Sequence, residues 1–263
     1  MKTKVLALSS AFMFLCGLNQ QTNAEGLTGG IKVGLHSTVS GHGTRDDKIE
    51  DKQVELKSSL FNLGGGSSLW GGYEYNFSED TSVEGRGGLG AKSISTGLSG
   101  KFKGDGDDEK KSSVKSSVSI IGIDAYVEGL VRQRIGEMGF GGFGISVGAV
   151  IPMFSKKAVS EAKIGDVKHG REGLSEDDKK KFDENVTKGI GYSAYIGGIF
   201  EYMDPSKSFS IGVSGAYHFT GLLSGNEGKE IKKSLFMKEE DKNNIFPINV
   251  GVTATINIAQ MMQ

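Results

Sequence analysis

The sequence has one cysteine, three prolines and almost no net charge. It also lacks any run of about 18 apolar residues. Each scarcity removes a class of protein. Cys16 stands inside the N-terminal apolar stretch, so the chain beyond it carries no thiol, no disulfide framework and no thiolate site. Three prolines beside 41 glycines exclude a Pro/Gly-rich disordered chain. A formal net charge of −1 offers no footprint for nucleic acid. The longest apolar run, VLALSSAFMFLCGL, has 14 residues, too few for a comfortable helical membrane span of about 20. That last absence leaves β-barrels open, because their spans are short and alternating.

The apolar run follows the basic MKTK and precedes the polar NQQTNA, with Thr22 and Ala24 at −3 and −1 before Glu25. Residues 1–24 are therefore expected to be a cleaved secretory signal peptide, and 25–263 one mature domain. Leu15 before Cys16 is not the small residue that lipoprotein processing requires, so Cys16 reads as apolar filler.

Glycine is abundant instead, at about twice its usual share of roughly 7%. It accompanies a period of two. In PINVGVTATINI (247–258), Ile248, Val250, Val252, Ala254, Ile256 and Ile258 alternate with Asn249, Gly251, Thr253, Thr255 and Asn257. This is a strand with unlike faces, and its polar face carries no charge. Eight such segments occur, at about 27–39, 67–77, 81–97, 117–131, 139–153, 190–202, 208–220 and 246–258. Short connections (78–80, 132–138, 203–207) take turns with long ones (about 40–66, 98–116, 154–189, 221–245).

Charge sorts with the long connections: residues 41–59, 99–116, 155–189 and 221–245 hold 45 of the 63 charged residues. Nine charged residues fall within strands: Lys32, Glu74, Glu84, Arg86, Lys92, Asp124, Glu128, Arg132 and Glu201. Within each strand they share the face opposite the Val, Ile, Leu and aromatic residues. A water-soluble sandwich would put charge outside and in greater amount. A membrane barrel inverts the pattern, with an apolar exterior and a polar interior. Eight strands leave room only for side chains, so the nine charges are expected to pair as a lumen network. Tyr73, Tyr75, Phe77, Phe200, Tyr202 and Phe209 lie by the short turns, and Tyr192, Tyr217, Phe219 and Phe246 by the long loops, as two interfacial girdles would.

On these features the chain resembles the small eight-stranded outer-membrane barrels, the OmpA/OmpX type and related surface-antigen barrels, over about 25–258. The resemblance implies an all-β, antiparallel, up-and-down transmembrane barrel with long charged loops at one end. Its implied setting is the outer membrane, and its implied partners are outer-membrane lipid and the barrel-assembly machinery. The chain ends IAQMMQ, where such barrels usually end on an aromatic.

Motifs with chemical overtones are weak. GRGGLG (85–90) and GFGGFG (139–144) match a dinucleotide pattern, but both continue as strand where a helix is needed. GDGDDEK (104–110) lacks the glycine and distal glutamate of an EF-hand. His36, His42, His169 and His218 form no metal-ligand spacing, and no cofactor is expected. His218 and Thr220 loosely match the His-x-Ser pair of lipid A deacylases, but with Thr for Ser and with His218 facing inward. Segment 173–188 reads as a helix capped by Ser175, with Phe182 and Val186 as a small docking stripe. The functional expectation is a non-enzymatic surface protein with a structural or recognition role, meeting host surfaces or other proteins through its loops. The alternatives are a lipid A-modifying enzyme using His218 and Thr220, or a minor pore.

Overall fold

The computed structural model describes residues 26–39, 44–49, 52–58, 62–102, 113–164, 167–219 and 248–262. The strands are β1 (Gly26–Val39), β2 (Thr44–Ile49), β3 (Lys52–Ser58), β4 (Asn62–Asn76), β5 (Thr81–Phe102) and β6 (Ser113–Arg134). They continue as β7 (Phe140–Ile164), β8 (Val167–Gly170), β9 (Ser193–Met203), β10 (Phe209–His218) and β11 (Ile248–Asn257). Helix α1 spans Glu176–Gly189, and a short turn of helix, α2, spans Ile258–Met261.

Eight strands close into an antiparallel ring in the order β1, β4, β5, β6, β7, β9, β10, β11. Closure is by β11 on β1, from Gly30 opposite Asn257 to Val39 opposite Ile248. The hairpin β2–β3 extends the sheet from β5, and β8 adds to β7. Among the described residues, no helix is long and apolar enough to cross a membrane.

Each ring strand coincides with one segment expected from the sequence, but several boundaries need correction. Strand β4 begins at Asn62, β5 runs to Phe102, β6 begins at Ser113, and β7 runs to Ile164. Parts of 40–66, 98–116 and 154–189 are thus strand rather than loop. At the other end of the scale, β9 begins at Ser193, and β10 stops at His218. Residues 1–25, which include the expected signal peptide, lie outside the described residues, as do His42, 104–110, Thr220, all of 221–245 and Phe246.

The ring is apolar outside and polar inside. Leu35, Val127, Phe143, Ile145, Phe200, Val213 and Val252 are exposed, Leu35 and Val127 to 66%. Tyr73, Tyr75, Phe77, Phe200, Tyr202 and Phe209 are exposed near the short turns, and Tyr192, Tyr217 and Phe219 near the other end. Glycine permits the crowded interior at particular points. A Cβ on Gly88 would collide with the Tyr126 ring, and one on Gly148 would stand 2.6 Å from the Tyr195 hydroxyl. Both tyrosines can therefore lie across the lumen against bare backbone.

The polarity inverts on the longest strands. Below Ile121, towards the short turns, β6 points Ile121, Val127 and Val131 out and Glu128 and Arg132 in. Beyond it, Val114, Val118 and Ile120 are buried inside, while Ser113 and Lys115 are exposed outside. Strand β5 does the same: Lys92 is followed inside by Ile94, and Leu89 and Ala91 outside by Ser95, Ser99 and Lys101. Ile94 pairs with Ile120, so the two strands invert at one level. On β7 the bulge between Ile151 and Ser155 marks the same height.

Helix α1 covers the inner apolar face above that level. Its N-cap Ser175 accepts a hydrogen bond from the Asp178 amide at 3.2 Å, and Glu176, Asp177 and Asp178 fill the positive first turn. Phe182, Val186 and the following Ile190 are buried against Ile94, Val118, Ile120, Val150 and Ala158. Lys156 closes the other end, its Nζ donating to the carbonyls of Thr187 (2.6 Å) and Ile190 (2.8 Å). A cation on the last carbonyls suits the negative end of the dipole.

Candidate functional site

Among the described residues, the ring's interior is where titratable groups are concentrated and buried. Alternation on β4, β5, β6 and β9 carries them inward, and the register brings them level: Glu74 opposes Glu84, Arg86 opposes Glu128, and Gly142 opposes Glu201. Near the short turns, two arginines hold three carboxylates. Arg86 donates through Nε to Glu84 at 2.7 Å and bidentately to Glu201 at 3.1 Å. Arg132, with 0% exposure, reaches Glu84 and Glu201 at 2.5 Å each and lies 3.9 Å from Glu74. The Thr28 hydroxyl donates to Glu84 at 2.5 Å and that of Ser82 to Glu74 at 2.6 Å. The Arg86 guanidinium stacks 4.5 Å from the Trp70 ring. Charge-assisted and bidentate bonds of this kind are the strong ones.

Further along the lumen the pairs are lysine-based. Lys32 meets Glu128 at 2.5 Å, and Lys92 lies 3.9 Å from Asp124. The Tyr195 hydroxyl donates to Asp124 at 3.0 Å, and Lys92 sits 4.6 Å over the Tyr195 ring. All nine residues named from the sequence therefore face inward and have an ionic partner. A tenth member, Lys207, was assigned to a short turn. It bends in to Glu74 at 2.8 Å and balances five acids with five bases. The sequence held a clue to it: five inward acids against four inward bases leave one buried charge unmatched, which costs several kcal/mol.

Above the ionic cluster is a cavity of about 110 Å³, bordered by Lys32, His36, Lys92, Asp124, Tyr126 and Tyr195. The α1 cluster shares Tyr126 and Tyr195 with it and stands beyond it. The lumen is thus layered: ion pairs by the short turns, a small polar cavity, then an apolar layer under α1.

His218 is buried inside, in keeping with its parity. Its Nδ1 is 2.8 Å from Ser193 Oγ, and its Nε2 is 2.5 Å from the Asn249 amide nitrogen. The Thr38 hydroxyl donates to Asn249 Oδ1 at 2.7 Å, which leaves the amide NH₂ facing the imidazole. In the tautomer this network assigns, the ring proton sits on Nδ1 and points at Ser193. That is the wrong way round for a base that takes a hydroxyl proton. Ser193 and His218 are also both fully buried. The chain Ser193–His218–Asn249–Thr38 ties β9, β10, β11 and β1 together. GRGGLG and residues 140–144 of GFGGFG lie within β5 and β7, without a following helix. No group of three or more His, Cys, Asp or Glu residues among those described is arranged to hold a metal.

No family model and no curated protein matches the chain. Among solved structures, one described as the NanC porin in a rhombohedral crystal form is similar over 86% of this chain and 98% of its own. Its identity is 8% and its TM-score 0.25, too slight a likeness to carry an argument.

Proposed function

We propose that this chain is an eight-stranded transmembrane β-barrel of a Gram-negative outer membrane, with a closed lumen and a recognition role at its long-loop end. One observation carries the reading: the closed ring is inside-out, with large apolar side chains on its outer surface and ten paired charges within. An exposed apolar belt around a whole molecule has no place in water. Transfer of each large apolar side chain out of water contributes on the order of 1.5–3 kcal/mol. On β11 the outward apolar positions run from Ile248 to Ile256, which at about 3.3 Å per residue is roughly 26 Å before tilt. Outer-membrane belts are about 25 Å tall. The level of Ile94 and Ile120, where the faces exchange polarity, is then the water line on that side.

A closed lumen disfavours a conduit, and the buried Ser193–His218 pair disfavours lipid chemistry. What remains to act is the end bearing α1 and the connections 41–59, 99–116, 155–189 and 221–245, which hold most of the charge. A rigid ring presenting long charged segments is suited to contact with other surfaces, host surfaces included.

The test uses single cysteines in a chain with no other thiol after residue 16. Ser113→Cys should react with an impermeant maleimide on intact cells, and Ser206→Cys only after permeabilisation. Recovery of the protein in a soluble fraction, or labelling at Ser206 alone, overturns the membrane reading or its orientation. Shortening the four connections should then abolish cell or antibody binding while the ring still assembles. Lipid A that changes mass between wild type and His218→Ala would favour the enzyme instead.

A further inference from the structure

We infer that the outer face of β5, β6 and β7 above the water line is a binding surface for a phosphorylated glycolipid of the outer leaflet; this rests on the membrane reading. The face is continuous with the apolar belt, because alternation along β6 runs unbroken from Val127 and Ile121 to Ser119, Ser117, Lys115 and Ser113. A lipid whose acyl chains lie on Ile121 and Ile151 has its polar part against those positions. The register sets that part out in rows. Lys157 stands beside Ser119 in the first row. Lys115 stands between Ser99 and Glu161 in the third, and Ser113 between Lys101 and Lys163 in the fourth.

Lys101, Lys115 and Lys157 are exposed and Lys163 is half-buried, and none of the four makes an ion pair among the described residues. Among the described side chains, two acids share the face, Glu55 beside Lys101 and Glu161 beside Lys115, so cations lead there by four to two. The intervening positions are largely serine, whose hydroxyls donate to phosphate and sugar oxygens. Height selects the class of lipid. The polar layer of a simple phospholipid is about 5–8 Å deep. At about 3.3 Å per residue, the first row lies roughly 7 Å along the strand beyond Ile121 and the fourth roughly 26 Å. Only the first row reaches ordinary headgroups. A ladder of ammonium groups continuing above them fits a lipid with anionic groups at several heights on a sugar core. Lys156, by contrast, turns inward to cap α1 and takes no part.

The test titrates the refolded full chain in detergent with diphosphoryl lipid A, monophosphoryl lipid A and phosphatidylglycerol, followed by native mass spectrometry. Each lysine near an anionic surface is worth on the order of fivefold. Wild type should prefer diphosphoryl lipid A over phosphatidylglycerol by at least tenfold, with the monophosphoryl form between. The variant Lys101→Ser, Lys115→Ser, Lys157→Ser, Lys163→Ser should lose at least tenfold towards diphosphoryl lipid A. A charge-matched control, Lys179→Ser, Lys180→Ser, Lys181→Ser, Lys188→Ser on α1, should stay within twofold. A smaller loss in the first variant, an equal loss in the control, or no preference in wild type overturns the inference. So does a variant that keeps glycolipid affinity but loses attachment to whole cells, which would assign the face to another macromolecule. Insertion is scored separately by heat-modifiable migration after reconstitution in phosphatidylcholine vesicles. Failure to insert sinks the membrane reading as well, whereas insertion without glycolipid preference sinks this inference alone.

Discussion

Arg132→Met tests whether the lumen network holds the ring together. Arg132 is wholly buried and is bonded to Glu84 and Glu201 at 2.5 Å, with Glu74 at 3.9 Å. Methionine fills most of the volume and removes the charge, leaving five acids against four bases. Breaking a buried pair from one side costs about 3–5 kcal/mol. Arg86 still binds both Glu84 and Glu201, so the loss belongs near the lower end, about 3 kcal/mol. Glu201→Gln leaves the opposite imbalance. The double variant restores neutrality and should be more stable than the two single losses predict by about 1–3 kcal/mol. The assay is guanidinium unfolding in micelles, followed by fluorescence of Trp70, the single tryptophan, which stacks on Arg86 and not on Arg132. Gel migration of the folded form gives a second probe. An Arg132→Met protein within about 0.5 kcal/mol of wild type, or strictly additive losses, would refute the network's structural role.

Three further outcomes are expected. Phe182→Ala should undock α1 at a cost of about 3–5 kcal/mol; proteolysis within 171–192 should accelerate while the ring keeps its heat-modifiable migration. Gly88→Ala should destabilise by about 1–3 kcal/mol through collision with the Tyr126 ring, whereas Gly129→Ala, where a Cβ meets open space, should stay within about 0.5 kcal/mol by the same unfolding assay. Arg171 donates to the Asp183 carboxylate at 2.7 Å and holds it below the ordinary carboxylate range. A depressed folded value stabilises above the unfolded carboxylate pKa, about 4, and that contribution is lost as pH falls through the lower folded value. Protection of α1 amides from exchange should therefore fall below about pH 4, and less steeply in Asp183→Asn; equal slopes would contradict the coupling.

Much of the ring could be read from residue order because two signals agreed. In 81–92, parity alone places Glu84, Arg86 and Lys92 on one face and Val83, Leu89 and Ala91 on the other. Both the strand and its inward side follow. The same is true of Ser175, Phe182 and Val186, whose spacing announces a capped helix with one apolar stripe. The extensions of β5, β6 and β7 were missed for a physical reason. In β6, residues 113–116, with two serines and a lysine among four, lack the small-polar-against-apolar contrast that marks the rest of the strand. Yet Val114, Val118 and Ile120 still alternate there; only the polarity of the two faces is exchanged. Lys207 was missed because a turn residue with positive φ has no face to assign, and its long side chain reaches in from the rim.

The inward charges also answer a problem that an apolar lumen would create. Strand register is specified only where the two faces differ. A barrel strand with valine on both faces would be as content one residue out of place. Slip β5 by one residue and Glu84, Arg86 and Lys92 turn outward together onto the apolar outer belt, which in the proposed membrane setting puts three charges against hydrocarbon. Arg or Lys on a lipid-facing position costs roughly 2–4 kcal/mol near the bilayer midplane, and Glu less. The partners Glu128, Arg132 and Glu201 are stranded inside at the same moment, so the penalty falls on several strands at once. Gly87, Gly88 and Gly90 carry no side chain that a slip would turn outward. The sparse charges in this glycine-rich sequence therefore do for register what large side chains do in an ordinary core. For that reason Lys92→Ala should relax register less than Arg86→Ala, since Lys92 stands 3.9 Å from a single acid and Arg86 is bonded to two. Cysteine crosslinking between β4 and β5 reads this directly: Ser67 paired with Ala91 in wild type, and, in the Arg86→Ala protein, a share of Ser67 paired with Gly90. Identical crosslinking in both variants would show that register is set elsewhere.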